Sequence, residues 1–148
     1  MVRRVQTIAD YQFGRGTGEM IFPDGCEFTL SRTGRIRQVL HEGNRLATVR
    51  AENGRLTLGI EGALRLKEAL PPPGYRVVIN PEVAEFARAG KNAFARHVTA
   101  ADTAIRGGDE VLVVGESDEL LATGSAMMSG EEMLAFNYGV AVKVRQGR

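Results

Sequence analysis

The stretch Gly90-Lys91-Asn92-Ala93-Phe94-Ala95-Arg96-His97-Val98, taken with the final Val140-Ala141-Val142-Lys143-Val144-Arg145, decides how this chain is read. The first segment leaves a helix through a glycine and runs on as an extended strand. The second alternates valines with Ala, Lys and Arg at the two-residue period of a strand. Its cations therefore fall at a helix exit and on a last strand, not along a solvated helix face. No catalytic constellation accompanies them. The pattern suggests a small RNA-binding module rather than an enzyme.

Working back from that stretch, Tyr75-Arg76-Val77-Val78-Ile79 reads as a strand, and Asn80-Pro81-Glu82 as a helix start with a side-chain cap, a proline at the first position and an early acid. Val83, Phe86 and Ala87 form its predicted buried stripe, and Gly90 occupies the place of a C-cap glycine. Phe94 to Val98 is expected to be one strand. Val111 to Val114 is almost wholly apolar, hence a buried strand, with Leu120 to Ala126 as its hairpin partner across Glu116-Ser117-Asp118-Glu119. Ser129-Gly130-Glu131-Glu132 is a capping box that starts a helix over Glu131 to Phe136.

Further upstream, Pro71-Pro72-Pro73-Gly74 is a stiff connector, because three prolines donate no backbone hydrogen bond and favour extended chain. The boundary belongs there, giving an N-terminal domain over 1–70 and a C-terminal domain over 75–148. Val2, Val5, Ile8, Ala9 and Phe13 follow helical spacing up to Gly14. Cys26-Phe28-Leu30, Ile36 to Leu40, Leu46 to Val49 and Leu56-Leu58-Ile60 read as the strands of a meander, with Asn53-Gly54 the strongest hairpin signal. Gly62 to Leu70 is a short helix candidate. The N-terminal half is thus expected to be a helix on a curved four-stranded sheet.

At 148 residues and 43% hydrophobic composition the chain can bury a real core. Net charge is only +1, so a nucleic-acid site must be local. Residues 1–70 carry 11 Lys and Arg against 8 Asp and Glu; residues 75–148 carry 8 against 10. One cysteine and two histidines leave no disulfide framework and argue against a zinc site. No metal or cofactor is expected. No apolar run reaches membrane-spanning length, and Met-Val-Arg-Arg-Val-Gln lacks the apolar core of a signal peptide, so a cytoplasmic protein is expected.

The C-terminal half resembles a PUA domain, the RNA-binding module of pseudouridine synthases and archaeosine transglycosylases. The resemblance is carried by Phe86-Ala87-Arg88, Gly90-Lys91-Asn92-Ala93-Phe94-Ala95-Arg96, Gly108-Asp109-Glu110-Val111, Ser129-Gly130-Glu131-Glu132-Met133-Leu134 and Asn137-Tyr138-Gly139 through Arg145. It is nearest to the end of archaeal tRNA-guanine transglycosylases. The N-terminal half, with Asp10-Tyr11-Gln12-Phe13-Gly14, is similar to the small domain that precedes PUA there. Those enzymes also carry a large barrel with catalytic aspartates and a zinc site, for which 148 residues leave no room. The resemblance therefore implies RNA binding, and not base exchange.

The candidate RNA contacts are Arg88, Gly90, Lys91, Asn92, Phe94, Arg96, Lys143 and Arg145. Gly90 has a bland reading as a helix stop, and Lys91 as a solvated lysine; the resemblance places this loop against RNA, where Lys91 and Asn92 would meet phosphates or sugar hydroxyls. Phe94 is either core or a stacking platform, whereas Phe136 is expected in the core. Arg96 follows Phe94 on the same strand face, and exposure toward RNA is simpler than burial. Lys143 and Arg145 are either a solvated sheet face or, about 6.6 Å apart, a match to consecutive phosphates. Arg88 would extend the patch.

Other residues have structural readings. His97 is a strand residue with an ordinary partner, Asp102 and Asp109 are turn or cap residues, and Ser129 is a helix cap. Gly14-Arg15-Gly16-Thr17-Gly18 follows a helix, not a strand, and is a weak phosphate-binding candidate.

The expectation is an α+β protein: a helix packed on a curved antiparallel sheet, then a PUA-like pseudo-barrel with two short helices. Its partner would be structured RNA, tRNA foremost, in modification or processing. The alternative is an adaptor that docks a separate catalytic subunit through Met127, Met128 or Ile21.

Overall fold

The computed structural model describes residues 1–148. They form two compact units, Met1–Leu70 and Pro71–Arg148.

In the first unit, α1 (Val2–Phe13) buries Val5, Ala9 and Phe13, one side chain per turn. α2 (Thr17–Ile21) follows at once. Then come β1 (Glu27–Leu30), β2 (Ile36–His41), β3 (Asn44–Val49), β4 (Leu56–Leu58) and α3 (Ile60–Ala69). The strands form an antiparallel meander in sequence order. Gln12 treats β4 as a further strand would: its Nε2 donates to the Leu56 carbonyl at 2.9 Å and its Oε1 accepts from the Leu56 amide at 2.8 Å.

Two expectations are corrected here. The glycine-rich run after α1 is a helix crossing. Gly16 (φ +91°) turns the chain, a Cβ on Gly18 would collide with the Gln6 backbone, and the Gly18 amide donates to Asp10 Oδ1 at 2.7 Å. The resulting α2 had no periodicity long enough to see. Ile60 starts α3 instead of ending β4, and Gly62 lets that helix lie directly on the Leu46 carbonyl.

The second unit runs β5 (Arg76–Ile79), a 3₁₀ turn Pro81–Val83, α4 (Ala84–Arg88), β6 (Ala93–Phe94), a 3₁₀ turn Ala95–His97, β7 (Val98–Ala101), β8 (Glu110–Val114), β9 (Leu120–Ala126), α5 (Gly130–Ala135) and β10 (Val140–Gly147). Asn80 Oδ1 accepts from the Glu82 amide at 2.9 Å, and Ser129 and Glu132 form the reciprocal capping box. The sheet order is β6-β10-β9-β8-β5-β7, with β5 and β8 parallel. Its two edge strands, β6 and β7, are consecutive in the chain and joined by only three residues. A six-stranded sheet meets that condition only by curling round, so it becomes a nearly closed barrel. Val77, Ile79, Val111, Val113, Leu121 and Val142 fill it.

The single strand expected over Phe94 to Val98 is therefore divided into β6, a turn and β7. Ala95 is buried, with its amide bonded to the Gly139 carbonyl at 2.9 Å, and the His97 carbonyl accepts from the Asn80 amide at 2.9 Å. Arg76 is also buried, at 2% exposure. Its Nε reaches Asp118 Oδ1 at 2.7 Å, and its Nη1 donates to the Gly74 carbonyl at 3.1 Å. No helix is long and apolar enough to cross a membrane.

Candidate nucleic-acid interface

The seam that joins β6 to β7 also builds the most structured candidate site. α4 ends in a Schellman motif: the Gly90 amide (φ +91°) donates to the Ala87 carbonyl at 3.0 Å, and the Lys91 amide to the Phe86 carbonyl at 2.9 Å. This fixes the direction in which Lys91 and Asn92 leave the helix. Asn92 Oδ1 accepts from the Val144 amide at 3.0 Å and ties the loop to β10. Its NH₂ group is left to donate outward.

Next, Phe94 stands 38% exposed at the end of β6. The Arg96 guanidinium lies over its ring, 5.4 Å from the centroid, and His97 meets the same ring edge-on at 6.3 Å. Arg96 Nε points to His97 Nε2 at 3.4 Å. Across from them stands Phe86 on α4, 60% exposed. Phe86, Lys91, Asn92, Phe94, Arg96 and His97 line one pocket of about 340 Å³. That volume lies at the small end of ligand sites. The walls are aromatic, the rim is cationic, and no carboxylate lines it.

Four predicted residues thus come together: Lys91, Asn92, Phe94 and Arg96. Gly90 shapes the loop that carries them. Arg88, Lys143 and Arg145 do not line the pocket. Arg88 is paired with Glu85 at 3.4 Å. Lys143 is exposed on β10 beside Ser125 of β9. Arg145 is committed elsewhere: its two Nη atoms grip the buried carboxylate of Glu110, with Nη1 to Oε1 at 3.0 Å and Nη2 to Oε2. A buried charge needs that partner, so the reading of Lys143 and Arg145 as matched phosphate contacts loses its second member.

Phe86 and His97 were not among the predicted contacts. Phe86 had been assigned to the buried stripe of α4, but a helix of five residues has a narrow covered face, and Ala87 takes it. Phe136, expected in the core, is 37% exposed and stacks on Tyr138 at 5.6 Å and 7°. Ile21, named as a docking residue, is fully buried. No three His, Cys, Asp or Glu side chains converge as a metal site would require. Asp102 and Asp109 accept from the amides of Ala104 and Arg106, both at 2.9 Å, as turn residues do.

Comparison with known proteins follows the same division. The model of the patch-forming domain C2 of tRNA-guanine transglycosylase matches residues 3–73, and that of the PUA domain matches residues 75–148. The chain is 58% identical over 146 residues to a tRNA-guanine(15) transglycosylase of Pyrococcus abyssi, covering 99% of this chain and 25% of that protein. It spans about a quarter of the length of the curated relatives it matches. A hypothetical protein of Pyrococcus horikoshii shares the fold, with a TM-score of 0.76 at 23% identity over 99% of this chain and 89% of the other. A chain of an archaeal box H/ACA sRNP complex aligns with a TM-score of 0.50 at 29% identity, over 60% and 30% of the two chains.

Proposed function

This chain belongs to the PUA family, and from that premise we propose that it binds RNA in the service of tRNA modification and is not itself a catalyst. The observation that carries this reading is the seam pocket, where two exposed phenylalanines, Lys91 and Arg96 surround one cavity without a carboxylate. Exposed aromatic faces accept an unpaired base by stacking, and the cations beside them meet its phosphate. Asn92 supplies a donor for a sugar hydroxyl. The ligand is a structured RNA, tRNA first, held where a stem meets its single-stranded end, and shape counts for more than sequence. The protein would then work in the cytoplasm.

Binding of bulk tRNA and duplex DNA, measured for the wild type and for K91A/R96A and F86A/F94A, tests it. Preference for tRNA is expected, lost by about tenfold or more in either variant. With about four phosphates engaged, log affinity falls by roughly three per decade of salt. Absence of tRNA binding at low salt, or variants that bind as the wild type does, would overturn the reading.

The adaptor reading is favoured by a different surface. Met127, Leu134 and Tyr138 are 55%, 47% and 68% exposed in the second unit. Nuclease-resistant co-purification of a tRNA-modifying subunit, abolished by M127E/L134E, is its signature.

A further inference from the structure

Charge is segregated along the second unit. Between Arg106 and Lys143 there is no Lys or Arg, and there are seven Asp and Glu. Two of those acids are already held, Glu110 by Arg145 and Asp118 by Arg76, and Asp109 accepts from the Arg106 amide. Glu116 and Glu119 stand exposed in the β8–β9 turn, and Glu131 and Glu132 stand exposed on α5. The α5 pair adjoins exposed apolar surface.

That surface follows from how α5 is seated. Met133 is buried, and a Cβ on Gly130 would strike the Asp102 carbonyl, so this side of the helix is pressed against the barrel. Leu134 faces outward instead, one turn from Glu131. The helix ends at Phe136, and every residue from Leu134 to Gly139 is exposed. Phe136 and Tyr138 stack on each other within this run. Met128 joins it from the start of the helix, its Cε 3.3 Å from where a Gly139 Cβ would stand. Arg106 borders the patch through Gly107, a single cation against two carboxylates. Exposed aromatic and Met side chains are enriched where proteins meet proteins. A phosphate backbone needs cations, and here it would find acids. Protein is the better match.

We infer that this face of α5 is a protein-docking surface whose partner presents apolar side chains flanked by Lys or Arg. The apolar side chains cover Leu134, Phe136 and Tyr138, and the cations meet Glu131 and Glu132. The inference deepens the adaptor reading, on which the existence of a partner rests; the partner's chemistry rests on these side chains alone.

The test uses the full chain and two labelled probes followed by fluorescence anisotropy at low salt. One is a short amphipathic peptide of leucine and lysine; the other has glutamate in place of every lysine. Wild type is compared with L134S/Y138S, E131K, E116K and K91A/R96A. All the substituted α5 side chains are exposed, and Glu132 keeps its place in the capping box, so the fold should be retained. The Leu/Lys peptide is expected to bind the wild type and the Leu/Glu peptide not to. Binding should weaken at least tenfold in L134S/Y138S and several-fold in E131K, and stay unchanged in E116K and K91A/R96A. Absence of Leu/Lys binding, equal binding of the two peptides, or an E116K defect as large as that of E131K would overturn the inference. So would tRNA binding lost in L134S/Y138S as in K91A/R96A, which would give this face to RNA. Self-association in sedimentation that L134S/Y138S abolishes would seat a second copy there and overturn it too. A modifying subunit that co-purifies and is released by M127E/L134E but unaffected by E131K would keep the adaptor reading and overturn the basic partner. Peptide binding as expected, with no subunit co-purifying, would support the surface and remove the adaptor reading.

Discussion

At the scale of single residues, the arginines of this chain divide into those with a carboxylate to hold and those without. Arg145 and Arg76 hold buried or half-buried acids, Glu110 and Asp118, and their sequence context gave no hint of it, because each partner lies more than thirty positions away. Replacing Arg145 by Ala leaves Glu110, 4% exposed, without its counter-charge. Loss of roughly 3 kcal/mol of stability is expected, the low end of the range because Arg145 itself is one-third exposed. The E110L/R145M pair should recover most of it in urea unfolding. Any RNA-binding defect of R145A that E110L/R145M also repairs belongs to the fold. Cys26 gives a second residue-scale prediction. Burial pushes its thiol above the ordinary value, with Asp24 adding to the shift and Arg65 opposing it. The raised value means less thiolate in the folded protein at a given pH. Alkylation by iodoacetamide near pH 8.5 should therefore be slower in the native state than in denaturant, and equal rates would contradict the shift.

At the scale of elements, the legible features were those whose chemistry is local. Asn80-Pro81, Ser129 with Glu132, and Gly90 each act within a few residues, and the structure places all three at the helix ends where their side chains or backbone require them. The β8–β9 hairpin was equally plain, because every residue of β8 is buried. Elements set by distant partners were not legible. Division of Phe94–Val98 into two strands depends on Gly139 and Asn80, and α2 exists because Gly18 allows α1 to pass against it. The two kinds of glycine should behave differently. At Gly90 a Cβ meets nothing within 4 Å, so G90A incurs only the left-handed backbone penalty, about 1–2 kcal/mol. At Gly18 the added methyl strikes the Gln6 main chain, which cannot rotate away, and G18A should cost about 3 kcal/mol or more. Thermal unfolding of the two variants ranks them, and a G90A less stable than G18A would reverse the account.

At the scale of the whole molecule, the candidate site was legible in part, and its two missed members escaped for different reasons. Lys91, Asn92, Phe94 and Arg96 lie within six positions of one another, so a loop reading reaches them; His97 follows Arg96 directly but carried a bland strand reading, and Phe86 joins them because α4 presents it to the same pocket. An arginine-lined cavity of the first unit was not legible either, since its members come from one helix and two turns that are distant in sequence. Closure of the sheet thus positions the seam site, and closure depends on a core supplied wholly by residues 77–144. A core drawn from one unit predicts that the unit folds alone. Residues 71–148 expressed without the first unit should give a dispersed amide spectrum and a cooperative unfolding transition, although 78 residues leave a modest margin of stability. That fragment should keep the tRNA contact that depends on Phe86 and Lys91. A collapsed spectrum would mean that the curl of the sheet needs residues 1–70, and a core drawn from one unit would then be insufficient to close it.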